Sequence, residues 1–172
     1  MGTGIGGGAV VEGRLLHGLV HPEMGHVAVP RRPGDTFEGV CPFHGDCFEG
    51  LASGPAVGAR FGCRAEHLEG ADQAAAAELV GFYLAAGVRS IVYALAPERV
   101  VVGGGLSAMP GMLDAARVEL RAQFNGYPGL TEHAAPAFLV SAELGGRAGP
   151  AGTLILAEQA AELAAAAAHT TG

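Results

Sequence analysis

The stretch Cys41-Pro42-Phe43-His44-Gly45-Asp46-Cys47-Phe48-Glu49-Gly50 concentrates more chemistry than any other part of this chain. Together with His26, it offers two thiols and two imidazoles, a donor set that suits a tetrahedral Zn²⁺ ion. With His26, Cys41, His44 and Cys47 all engaged, no position stays open to activate water, so the ion would order the loop and do no chemistry. The competing reading is an unmetallated cluster. Glu23 precedes His26 by three residues and Glu49 follows Cys47 by two. Carboxylates held beside a metal-pinned loop are suited to accept hydrogen bonds from a polyhydroxylated ligand, so the loop reads as part of a substrate site.

Working outward, the 172 residues make one domain or one lobe with a sizeable core. An apolar fraction of 49% with only 16% charged residues fits a folded α/β protein. The net charge of −7, with ten basic residues that are all arginine, argues against a nucleic-acid partner, because phosphate binding needs a basic face. Three cysteines make no disulfide framework. Two belong to the cluster, and Cys63 is expected to be a small buried residue. No charged-then-apolar leader opens the sequence, which gives a reducing cytoplasm as the expected location. The apolar run from Ala71 to Ala96 contains Asp72, Glu78 and Arg89, and reads as a core helix without a membrane partner.

Along the chain, Ala9 to Leu16 predicts a β-hairpin turning at Glu12-Gly13. Gly25 to Pro30 predicts a short strand. Between Cys47 and Phe61 the pattern is short helices broken at Gly50 and at Ser53-Gly54-Pro55, with Ser53 as a cap. The helix over 71–96 places Leu79, Tyr83, Val88, Ile91, Val92 and Leu95 on one stripe and ends at Pro97. Arg99 to Val102 predicts a buried strand of the parallel type, followed by a helix over 110–124 and a strand over 137–141. An alanine-rich helix over 147–168 closes the chain. The alternation is that of an α/β sheet covered by helices. His17 and His21 read as surface or hydrogen-bonding residues, and His67, His133 and His169 as exposed.

Two glycine runs remain. Gly2 to Gly8 offers unobstructed backbone N–H groups and the Thr3 hydroxyl, a composition that can cradle phosphate. It is not a Walker loop, for want of Gly-Lys-Ser/Thr, and not a dinucleotide fingerprint, since it enters a hairpin and not a helix. Gly103-Gly104-Gly105-Leu106-Ser107 follows a predicted strand and precedes a helix, at the carboxyl edge of the sheet where α/β folds bind ligands. For each run a plain tight turn is the alternative.

These four segments, in this order, resemble the ROK family of sugar kinases and repressors: Gly2 to Gly8, Glu23-Met24-Gly25-His26, Cys41 to Gly50, and Val102 to Leu106. The form Cys-Pro-Phe-His-Gly-x-Cys-x-Glu-Gly is most similar to the family's fructokinases. The resemblance implies the C-terminal lobe of an actin-like ATPase (ribonuclease-H-like) fold, a mixed sheet with helices and a zinc-binding loop at 26–49. It also implies ATP-dependent 6-phosphorylation of fructose, with Zn²⁺ in the loop, Mg²⁺ accompanying ATP, and a homodimeric full-length protein. Glu23, His26 and Glu49 would then contact sugar hydroxyls, with His26 shared with the metal. Gly2, Thr3, Gly4, Pro55, Gly103, Gly104, Gly105, Leu106 and Ser107 would contact ATP.

The sequence departs from the family in one large respect. It contains no Asp-x-Gly-Gly-Thr phosphate loop, and none of Asp35, Asp46, Asp72 or Asp114 has the context of the family's catalytic base. The expectation is therefore a fragment spanning residues 1–172 of the C-terminal lobe, with the N-terminal lobe absent and no catalytic residue of its own. Such a chain would bind zinc but fail to phosphorylate fructose. The rival readings are a ROK-family transcriptional regulator, a sugar kinase of other specificity, and a zinc-binding interaction module.

Overall fold

The computed structural model describes residues 1–127 and 129–170. They fall into two units, Met1–Ser141 and Ala142–Gly172. The first is organised around α3 (Gly70–Leu95), which lies against α4 (Met112–Phe124). Small residues set their spacing. A Cβ on Gly81 would stand 2.8 Å from that of Ala115, and one on Gly87 would strike the Phe48 ring at 2.7 Å. Tyr83, Val80, Val88 and Val92 of α3 are buried with Met112, Ala116 and Leu120 of α4. By length and composition α3 passes as a membrane span, but 61% of its most apolar window is buried within the protein, as befits a core helix. It ends with Ala96 in the left-handed region at φ 44°, one residue before Pro97.

Two short helices precede it, α1 (Phe48–Ala52) and α2 (Gly54–Phe61). Ser53 separates them, and its Oγ accepts from Ala56 N–H at 3.4 Å as the N-cap of α2. After α3, β3 (Val100–Val102) pairs in parallel with β4 (Leu139–Ser141), Val100 opposite Leu139. The hairpin of β1 (Val10–Val11) and β2 (Arg14–Leu15) turns at Glu12 and Gly13, at φ 51° and 76°, a pair of positive values typical of two-residue hairpins. The second unit holds a 3-10 turn, Gly145–Arg147, and α5 (Ala148–Thr170).

Several expectations are corrected. Residues 25–30 form no strand: Met24–His26 is a 3-10 turn, and Ala28 alone makes a bridge, to Cys47. Gly50 does not break α1 but lies inside it. β3 is covered on one side only, since Val102 is buried while Val101 is 60% exposed, because no further layer covers that face among the described residues. Leu95 leaves the buried stripe as the last turn of α3 runs out to the surface, and Cys63 is half-buried. His133 is not a surface residue. It is half-buried between the rings of Phe124 and Phe138, whose centroids lie 6.5 and 4.9 Å away, and its Nδ1 has no hydrogen-bond partner among the described residues. His17, His21 and His67 are exposed, and the side chain of His169 lies outside the described residues.

Candidate functional site

The metal-ligand quartet assembles as the spacing implies. The donor atoms of His26, Cys41, His44 and Cys47 all lie within 4.8 Å of one another. Cys41 Sγ is 3.7 Å from Nδ1 of both His26 and His44, and Cys47 Sγ is 3.5 Å from Nδ1 of His26. A tetrahedral zinc with Zn–N near 2.0 Å and Zn–S near 2.3 Å has N-to-S edges of about 3.5 Å, close to these three distances, so the quartet is suited to that ion. Backbone order supports the arrangement: Cys41 and Gly45 exchange both hydrogen bonds, at 3.2 and 2.9 Å, closing a tight loop under the thiols. Cys47 also N-caps α1, its Sγ accepting from Gly50 N–H at 3.5 Å. Gly50 is required by close approach, since a Cβ there would lie 1.9 Å from Gly45 O. Desolvation is the largest influence on the Cys41 thiol, yet hydrogen bonds from the amides of Phe43 and His44 and from Cys47 together outweigh it and hold the thiol below its ordinary value. Desolvation, reinforced by Cys41 beside it, pushes Cys47 up. One thiolate thus forms ahead of the other.

The polypeptide leading into the loop is tied down by Asp35. Its carboxylate takes both Nη atoms of Arg60 on α2, at 2.8 and 2.7 Å, the hydroxyl of Tyr83 on α3, and the amide of Phe37 at 3.0 Å. The guanidinium also lies 4.0 Å above the Phe37 ring. The Arg60 hydrogen bond, followed by those of Tyr83 and Phe37, holds the Asp35 carboxyl far below the usual carboxylate range against the opposing effect of burial. Asp46 pairs with Arg31 at 3.0 Å and Asp114 with Arg117 at 2.8 Å, and Asp72 is exposed in the first turn of α3.

The first glycine run lies between the two acid-bearing segments. Glu49 Oε2 accepts from Ile5 N–H at 2.8 Å, and a Cβ on Gly4 would meet the same oxygen at 2.8 Å. On the other side Gly25 is pressed against Ile5 O, where a Cβ would fall at 1.6 Å. Met24 fills the space over Gly7. Glu49 and the Glu23–His26 turn therefore flank the same few glycines. Glu23 itself is exposed, with Oε1 at 3.3 Å from Nδ1 of His21.

A cavity of about 780 Å³ opens at the start of that run, against Gly2 and Thr3. Gly2, Thr3, Pro55, Gly105 and Leu106 line it, five of the residues singled out for a nucleotide. Gly4, Gly103, Gly104 and Ser107 lie outside its wall. Gly4 faces Glu49, and the Ser107 hydroxyl is spent on Gly104 O at 2.6 Å. The two glycine runs are joined at Met1, whose terminal amine donates to Gly103 O at 2.6 Å and whose carbonyl accepts from Leu106 N–H at 3.2 Å, while Gly54 N–H at the start of α2 donates to Gly2 O at 2.7 Å. Sequence reasoning missed Gly54, Gly58, Arg64, Glu66 and Gln73 in the same wall. Gly54 and Gly58 stand four apart on α2, a shared helical face that could have been read; Arg64 and Gln73 carry no such signal.

Fold and site together define an α/β protein in which a Cys₂His₂ loop and a glycine-walled cavity both border one glycine run. The chain belongs to the ROK family, whose sequence pattern matches residues 1–160. A Bacillus subtilis (strain 168) protein provisionally named a fructokinase is 45% identical over 168 residues, covering 96% of this chain and 56% of its own length. A fructokinase of Zymomonas mobilis is 44% identical over 128 residues, 74% of this chain and 42% of its own. Among solved structures, a ROK family glucokinase from Streptomyces griseus, in complex with glucose and AMPPNP, is 26% identical with a TM-score of 0.66, covering 92% of this chain and 59% of that one. The fold is that of the ROK sugar kinases, an actin-like ATPase fold of mixed helix and sheet. The chain spans about half the length of the curated relatives it matches.

Proposed function

We propose that this chain is the C-terminal lobe of an ATP-dependent sugar kinase, with fructose as the sugar and its 6-hydroxyl as the acceptor. The observation that carries the reading is the joining of two sites through Gly2 to Gly7: the acid-flanked Cys₂His₂ loop meets Gly4 to Gly7, and the glycine-walled cavity begins at Gly2 and Thr3. The fructokinase relatives support the choice of ketose, and the glucokinase with AMPPNP supports a nucleotide in the cavity.

In this reading Zn²⁺ bound by His26, Cys41, His44 and Cys47 fixes the loop, and its presence is what the thiolate and imidazole donors are suited to. Both His26 contacts to sulfur run through Nδ1, leaving Nε2 for a sugar hydroxyl. Glu49 has Oε1 free to accept from another, and Glu23 accepts from a third. ATP lies in the cavity with its phosphates toward Gly2 and Thr3, neutralised by Mg²⁺. Asp35, Asp46 and Asp114 are paired with arginines and Asp72 lies exposed in the first turn of α3, outside the cavity wall, so the base for the attacking hydroxyl is assigned to the other lobe of the parent protein. A purely zinc-binding interaction module would not need the cavity.

Calorimetry on the purified chain tests the proposal. Saturable binding of ATP and of fructose, fructose ahead of glucose, with no turnover in a coupled assay, is the expected result. Zinc uptake without affinity for either ligand would overturn it in favour of the interaction module.

A further inference from the structure

The cavity wall has two characters. Gly2, Gly54 and Gly105 present backbone, whereas Arg64, Glu66 and Gln73 present long polar side chains from the segment that joins α2 to α3 and from the first turn of α3. Arg64 Nε is held by Glu66 Oε1 at 2.8 Å. That exposed contact engages Nε alone and leaves the flat face of the guanidinium as a stacking surface for an aromatic ring. Gln73 Nε2 donates to Leu68 O at 3.2 Å. That bond fixes which way the amide points and leaves Oε1 as an acceptor.

We infer that Arg64 and Gln73 read the base of the bound nucleotide, Arg64 by stacking on the purine and Gln73 by accepting a hydrogen bond from an amino group at the purine 6-position. The inference rests on the nucleotide reading of the cavity proposed above. Adenine carries an amino donor at that position. Hypoxanthine and guanine carry a carbonyl oxygen, which would face the Gln73 oxygen acceptor to acceptor, and a site built to accept a donor rejects the analogue that lacks it. The backbone-lined wall takes the phosphates, so the roles divide along the length of the cavity.

Titration calorimetry of the 172-residue chain with ATP, inosine triphosphate and tripolyphosphate, each with Mg²⁺, separates the possibilities. The wild-type chain is expected to bind ATP about tenfold or more tighter than inosine triphosphate. Gln73→Ala should remove most of that preference. Arg64→Leu should weaken both nucleotides about tenfold and leave tripolyphosphate affinity unchanged. Equal wild-type affinity for the two nucleotides overturns the inference without any variant having to fold, and leaves the nucleotide reading standing. So does a preference that survives Gln73→Ala, or a loss of tripolyphosphate affinity in Arg64→Leu. Failure of the wild-type chain to bind ATP overturns the nucleotide reading itself, and this inference with it.

Discussion

Glu49 accepts the backbone N–H of Ile5 through Oε2 at 2.8 Å, so the acid beside the Cys₂His₂ loop also holds the glycine run in place. Ile5 is buried, so its amide is not readily turned over to water. Glu49→Ala should cost about 1–3 kcal/mol by leaving that amide unsatisfied. Glu49→Gln keeps an acceptor oxygen and should retain most of the stability while weakening fructose binding. Urea denaturation and fructose titration of the two variants check this; equal destabilisation by both would mean that charge, not hydrogen bonding, carries the contact.

The metal loop predicts about one zinc per folded chain. Cys47→Ser and His44→Ala should each abolish stoichiometric zinc measured by elemental analysis, with a fall in melting temperature. Cys63→Ser, changing a half-buried thiol away from the cluster, should keep full zinc content. Metal loss in the Cys63 variant equal to that in Cys47→Ser would contradict the assignment.

The cluster was legible because its chemistry is carried by residue type and spacing, and no packing detail was needed to find it. The helices were legible for a similar reason: α3 has its periodicity and its stop at Pro97 written locally. What escaped was tertiary. His26 enters the cluster on a 3-10 turn and not a strand because Gly25 must pass against Ile5 O, a contact between positions 20 residues apart that no local pattern records. Gly50 looked like a breaker, but its role is to let α1 sit against Gly45. The aspartate clamp was invisible for the same cause, since Asp35, Arg60 and Tyr83 come from three separate segments.

Two glycine variants distinguish close approach from mere flexibility. Gly50→Ala would place a methyl 1.9 Å from Gly45 O, and should destabilise by about 1–3 kcal/mol or more while loosening the metal loop. Gly58→Ala, inside α2, would meet nothing nearer than Cys63 O at 3.8 Å. It should stabilise by about 0.5–1 kcal/mol through helix propensity. Because Gly58 also lines the cavity, the same methyl should weaken ATP binding. Thermal denaturation paired with ATP titration reads both effects; a Gly50→Ala protein as stable as wild type would refute the contact.

The Asp35–Arg60 pair carries a prediction about pH as well as stability. Both side chains are almost fully buried, at 8% and 11% exposure. Removing one charge strands the other, so Asp35→Asn should cost about 3–5 kcal/mol. The folded-state carboxyl titrates far below its unfolded value, chiefly through its hydrogen bonds to Arg60. A depressed carboxylate stabilises fully above its unfolded pKa, near 3.9, and that contribution falls away as pH drops toward the folded value. The stability gap between wild type and Asp35→Asn should therefore be flat from about pH 5 to 8 and shrink only below about pH 4. Urea denaturation of both proteins across that range measures the gap. A gap that changes between pH 6 and 8 would assign the titration to another group, and a variant as stable as wild type would mean that the clamp does not hold the loop.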